Sequence, residues 1–117
     1  MSQILLTVRY HVAGNPDAFR ASMESVAPAI ASVDGLMWKI WGLDSERRQG
    51  LSVYLFACQS AANRFAAGPM IERLRQRPDI AEVSLEVAPV DADLSALTGG
   101  GPALGTATAA QLREAIA

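Results

Sequence analysis

The apolar residues of this chain repeat at two periods, and the order in which those periods follow one another leaves few folds open. Residues 3–12 alternate Ile4, Leu6, Val8 and Tyr10 with Leu5, Thr7, Arg9 and His11, the two-residue period of a strand. Over 16–32 the period lengthens. Phe19, Met23, Val26 and Ile30 fall on one helical stripe, with Asn15 as N-cap, Pro16 at the first helical position and Asp17 near the positive end of the dipole. Pro28 lies inside this helix and is expected to kink or loosen its last turns. Val33-Asp34-Gly35 then turns the chain into a second strand over 35–43, a polar connection follows over 44–50, and a third strand occupies 51–58.

A second helical region spans about 60–76, with Ser60 as its cap. It is broken by Gly68-Pro69, so two short helices are expected to meet there. A fourth strand occupies 80–90. The domain is predicted over 1–97, followed by a Gly/Ala-rich C-terminal tail over 98–117. Thr108 and Gln111 form a capping-box pattern for a short helix at 109–116.

The order β-α-β-β-α-β predicts an α+β fold of ferredoxin-like type, a four-stranded antiparallel sheet with both helices on one face. Leu6/Val8/Tyr10, Leu36/Trp38/Ile40, Val53/Leu55 and Val83/Leu85/Val87 are the apolar sets assigned to the helix-covered face. The opposite face then carries Thr7, Arg9, His11, Lys39, Trp41, Tyr54, Phe56, Glu82 and Glu86. This set is too aromatic for water and too charged for a dry core, so two such sheets are expected to pack together as a homodimer.

Composition narrows the function classes. Net charge is −2 and the cations form no block, which favours neither nucleic acid nor an anionic membrane as partner. No apolar run reaches the ~20 residues of a membrane helix, and no signal-peptide pattern opens the chain, so a cytoplasmic protein is expected. The single cysteine, Cys58, excludes an internal disulfide and reads as a small packed residue. One His and one Cys make no usual metal set, and Gly99-Gly100-Gly101 is not placed as a dinucleotide loop, so no metal and no bound cofactor are expected. For a haem, His11 is the sole histidine ligand candidate, and its place in a strand does not favour it.

The run Gly35-Leu36-Met37-Trp38-Lys39-Ile40-Trp41, a polar loop, and then Val53-Tyr54-Leu55-Phe56 resemble the YdhR-like monooxygenase family of the dimeric α+β barrel superfamily. Ser60-Ala61-Ala62, Glu82-Val83 and Asp93-Leu94-Ser95 extend the resemblance over roughly residues 4–97. It implies a homodimer through the sheet faces, with a pocket between sheet and helices in each subunit. It further implies a cofactor-independent monooxygenase oxidising a small aromatic or polyketide-like substrate with molecular oxygen. The alternatives are a non-redox cyclase or isomerase on the same scaffold, and a non-catalytic small-ligand-binding dimer.

Several side chains are candidates for such chemistry. His11 suits a general base, because histidine ordinarily titrates near neutrality; the plainer reading bonds it to Glu82 or Glu86. Arg9, and with it Lys39, could stabilise an enolate or superoxide-like anion, or simply pair with the same carboxylates. Trp38 and Phe65 could stack on a flat substrate from the helix side or fill the core, and Tyr10 could hydrogen-bond a substrate oxygen there. Trp41 and Tyr54 are substrate-contact candidates from the opposite face, where they would equally serve a dimer. Met23 and Met70 could line an adaptable pocket, with core filling the plainer role.

Overall fold

The computed structural model describes residues 2–105. The strands are β1 (Ile4–Val12), β2 (Leu36–Asp44), β3 (Gln49–Phe56) and β4 (Ile80–Pro89). The helices are α1 (Pro16–Ala31), α2 (Gln59–Ala66), α3 (Pro69–Gln76), α4 (Ala92–Leu97) and α5 (Gly101–Leu104). The strands form one antiparallel sheet in the order β2-β3-β1-β4, with β1 and β3 central. The β-α-β-β-α-β arrangement of the sequence reading is thus the arrangement of the chain.

Local signals act as their chemistry requires. The Asn15 side-chain oxygen accepts from the Asp17 and Ala18 amides at 2.9 and 3.1 Å, capping α1. Pro28 lies inside α1, and the helix continues past it to Ala31. Gly35 takes φ +80°, the left-handed conformation that glycine tolerates best, and its carbonyl accepts from the Ala57 amide at 2.8 Å. Gly68-Pro69 separates α2 from α3 as expected. The cap of α2 differs, because Cys58 occupies it without a side-chain cap bond and contacts Ser60 Oγ at 3.3 Å.

Register assigns the sheet faces, since directly opposed residues of antiparallel strands share a face. Ile4, Leu6, Val8 and Tyr10 oppose Phe56, Tyr54, Ser52 and Gly50, and all of these except the glycine are buried side chains on the helix-covered face. Lys39, Trp41 and Leu43 oppose Tyr54, Ser52 and Gly50 and so join that face. Trp38 and Ile40 oppose Leu55 and Val53 on the other one.

This corrects the sequence assignment for the two middle strands. In β2 the register shifts between Leu36 and Trp38. Such a bulge adds one residue and reverses which side each later residue faces. Leu36 therefore stays inward while Trp38 and Ile40 turn outward and Lys39 and Trp41 turn in. In β3 no bulge intervenes in the β1 pairing. Both faces of that strand are apolar, and the aromatic set Tyr54/Phe56 packs under the helices in place of Val53/Leu55. A second shift, between Arg9 and His11 in the β1–β4 pairing, puts Ile80 rather than Ala81 inward and holds Glu82 at φ +56°.

The Gly/Ala-rich segment from residue 98 begins with defined structure, α5. After β4 at one sheet edge, α4 and α5 lead to β2 at the other edge. There the Ala103 carbonyl accepts from Trp38 Nε1 at 2.5 Å and the Leu104 carbonyl from Gln3 Nε2 at 2.8 Å. This strap runs along the open face beside the row Trp38, Leu55, Leu5 and Ala88, within which Leu55 is fully buried. The short helix predicted at 109–116 lies outside the described residues.

Candidate functional site

Beneath α1 the sheet does not close fully against its helices. One cleft of about 430 Å³ lies between α1 and the far end of β2, lined among others by Tyr10, Phe19, Met23 and Trp41. A second space of about 160 Å³ lies between α1 and α3, over Lys39 and Tyr54. Its walls are Met23, Val26, Ile30, Phe65, Met70, Ile71 and Leu74, with Arg73 from α3 and Arg77 just past its end. A third of about 260 Å³ opens at the β2 edge past Trp38. Met23 is shared by the first two, Trp41 by the first and third, and Lys39 by the second and third, so the three lobes meet around Lys39 and Trp41.

Lys39 is the chemically unusual group of this space. Its Nζ sits 3.2 Å from the Trp41 ring centre and 4.6 Å from that of Tyr54. No carboxylate among the described residues forms an ion pair with it. Burial without a counter-charge disfavours the ammonium and draws its pKa from 10.5 down to about 7. The two aromatic faces pull the other way, since a π face attracts a cation. The result is an amine poised between base and cation near neutral pH.

Tyr54 and Tyr10 line the same floor. Burial, with the nearby Tyr10, raises the Tyr54 phenol far above its ordinary range. Burial raises Tyr10 as well, against a hydrogen bond with Ser52 that lowers it. Both therefore stay neutral donors at physiological pH. Tyr10 lies flat over Gly50: a Cβ there would come within 2.0 Å of its ring, so the glycine makes room for the tyrosine. Phe65 tilts against Tyr54 at 4.9 Å between centroids, closing the aromatic wall.

The structure thus gathers Tyr10, Trp41, Tyr54 and Phe65 with Lys39, but separates them from the other candidates. Arg9 and His11 are on the open face, in a cleft of about 470 Å³ with Asp44, Gln49 and Glu82. Among the described residues of the single chain Arg9 and Lys39 form no ion pair with Glu82 or Glu86, and His11 makes no hydrogen bond to either, so the pairing expected at a subunit interface stays an expectation. Trp38 flanks only the edge lobe, on the face opposite to the predicted one, its indole N–H held by the strap. The sequence reading places Lys39 on the opposite face, as an anion stabiliser or a partner of the interface carboxylates, and register moves it under the helices. The available signal was a lone cation inside the apolar run Leu36–Trp41, which meets hydrophobic neighbours whichever way the strand faces. Among the described residues no cluster of three or more His, Cys, Asp or Glu could hold a metal ion.

Solved structures share this architecture. The chain superposes on SnoaB of Streptomyces nogalater, a cofactor-independent oxygenase, with a TM-score of 0.62 at 13% identity, covering 77% of this chain and 94% of that one. A protein of unknown function from Nitrosomonas europaea gives 0.65 at 17% identity, covering 79% and 92%. The haem-degrading MhuD of Mycobacterium tuberculosis, solved with two haems in its active site, gives 0.58 at 18% identity, covering 75% and 95%. At these identities the likeness concerns the fold alone. No curated protein matches the chain. A family model does: residues 5–101 match the family described as "Putative mono-oxygenase ydhR", and the chain belongs to that family.

Proposed function

We propose that the chain is a cofactor-independent monooxygenase in which the cleft beneath α1 binds a planar, electron-rich aromatic substrate and Lys39 removes its proton. The observation that carries this reading is the unpaired Lys39 amine between Trp41 and Tyr54, with a pKa near 7 imposed by burial. A base works best when its pKa lies near the working pH, and such a group contributes about 10²–10⁴ in rate.

For an anthrone-type substrate the balance is as follows. Lys39 takes a proton from the ring CH₂ or its enol, leaving a delocalised anion. The anion passes one electron to O₂, and the radical pair combines to a C–O–O⁻ bond. The peroxide takes a proton; loss of water, with the remaining C–H proton, leaves a C=O group. One oxygen atom ends in the product and the other in water. The protonated Lys39 stabilises the anion it has made, while the neutral Tyr10 and Tyr54 hydroxyls donate to substrate oxygens.

The open face supports a homodimer. Ile40 and Leu51 on the sheet are 59% and 41% exposed, and Leu94 and Leu97 on α4 are 62% and 83% exposed, apolar surface of the kind that marks an interface.

Oxygen uptake with anthrones and quinols in metal-free buffer tests the reading. Turnover that rises with pH through about 7 and is lost in Lys39→Met is the expected result. No uptake across the panel, or undiminished uptake in Lys39→Met, would overturn it. Since Lys39 needs no oxygen to act as a base, undiminished product formation under anaerobic conditions would instead establish the cyclase or isomerase reading.

A further inference from the structure

The charges around the α1/α3 lobe are one-sided. Its charged side chains are Lys39 on the sheet floor, Arg73 on α3 and Arg77 just past the end of that helix, and no carboxylate lines it. Arg77 is already neutralised: its guanidinium donates twice to Asp79, Nε to Oδ1 at 2.9 Å and Nη2 to Oδ2 at 2.8 Å, and stacks 5.2 Å from the Phe19 ring centre. Arg73 has no such partner among the described residues. The neighbouring Arg75 points elsewhere, donating to the Val83 carbonyl at 3.2 Å. The lobe therefore offers an apolar slot with an amine on its floor and an uncommitted guanidinium on its wall.

We infer that the ligand of this cleft is an aromatic acid, a planar ring system that presents a hydroxyl to Lys39 and a carboxylate to Arg73. The seven apolar side chains and Tyr54 take the ring faces, since they offer area and few competing hydrogen bonds. A guanidinium suits a carboxylate because its planar fork donates to both oxygens at once. The hydroxyl end falls to Lys39, whose neighbours Trp41 and Tyr54 leave it without an anion of its own. In the adjoining cleft Arg20 is paired with Glu24 along α1, so it competes weakly for the acid. The assignment rests on the cleft proposed above and adds to it the charge and the orientation of what enters.

Calorimetric titration of the full chain with 6-hydroxy-2-naphthoate, and with its neutral carboxamide of nearly the same shape, tests the inference. The acid is expected to bind at least about tenfold more tightly, the worth of one charge-assisted hydrogen bond. Arg73→Gln should abolish that preference while leaving the affinity for the carboxamide unchanged. Arg75→Gln, with its side chain outside the lobe, should keep the preference. Equal affinity for the two compounds, binding of neither by the folded protein, or a preference that survives Arg73→Gln would each overturn the inference. A preference for the acid without oxygen consumption by any substrate leaves this assignment standing and removes the oxygenase reading. Oxygen consumption without the preference does the reverse.

Discussion

The two faces of the sheet differ in composition and in how they hold their charges: Tyr10, Trp41, Tyr54 and Phe56 surround a single lysine under the helices, whereas the open face sets Trp38 beside Arg9, His11 and Glu86. Under the helices Tyr10 and Tyr54 are buried and Lys39 half-buried among apolar side chains, and burial moves their proton affinities. On the open face Arg9, His11 and Glu82 line a cleft of similar size near solvent. Residue type is thus a poor guide to reactivity here. The lysine without a carboxylate partner lies between two aromatic rings under the helices, while the chain's only histidine lies on the open face beside Arg9 and Glu82.

The sharpest way to break this contrast is to exchange roles between the faces. Lys39→Met is expected to lower kcat/KM by about 10²–10⁴, whereas Arg9→Ala and His11→Ala leave it unchanged. Steady-state kinetics on the three variants decides the matter. If His11→Ala carries the loss, the open face is the active one. Stability offers a readout independent of turnover. The folded Lys39 pKa is depressed, so between about pH 7 and 10.5 the unfolded chain binds more protons than the native one, and stability should rise with pH across that window. Lys39→Met should flatten that rise in urea melts.

Next in size is packing. Phe56 is fully buried, with its ring 5.5 Å from that of Phe65, and truncation to alanine should cost about 3–5 kcal/mol. Its neighbour Leu55 is equally buried but against the strap, so Leu55→Ala should leave the cleft's ligand affinity intact where Phe56→Ala does not. Chemical denaturation paired with ligand titration separates them. A smaller effect is expected from Gly50→Ala. The added methyl group would collide with the Tyr10 ring and cost about 1–3 kcal/mol, with weakened binding as the tyrosine swings into the cleft. Unchanged stability would show that the ring does not lie over the glycine. On the other face, Leu51→Glu should dissociate a dimer in sedimentation experiments yet preserve turnover per subunit. A monomeric wild type would remove that face from assembly.

Much of the architecture was readable because its signals are local. Asn15-Pro16 starts a helix, Gly35 turns the chain, Gly68-Pro69 divides one helix from the next, and the strand periods survive between them. The site was less readable because it depends on parity. One extra residue at the β2 bulge moves Trp38 out and Lys39 and Trp41 in, and no pattern around Met37 distinguishes a bulged from a regular strand. In β3, Val53/Leu55 and Tyr54/Phe56 are both credible core sets, and only pairing with β1 chooses between them. The cavity itself arises between elements distant in sequence, so Phe65 and Tyr54 could be named as aromatic without revealing that they share a wall with a lysine.

The strap over the open face makes the history of the chain part of its stability. The Gln3–Leu104 bond joins residues 101 positions apart, and the Trp38–Ala103 bond joins residues 65 apart. During synthesis β1, β2 and β3 exist well before the segment that shields Trp38 and Leu55, so this row awaits its cover on the nascent chain. Contacts of such long range are expected to form late. Trp38→Phe, which deletes the indole donor, should therefore cost about 1 kcal/mol, and that loss should appear as faster unfolding with little change in the folding rate. A chevron in which the folding limb moves instead would place the strap in the nucleus. Ala103 and Leu104 thus act as a clasp that ties the segment after β4 back to β1 and β2, and a clasp that closes after the transition state lengthens the life of the native state rather than hastening its formation.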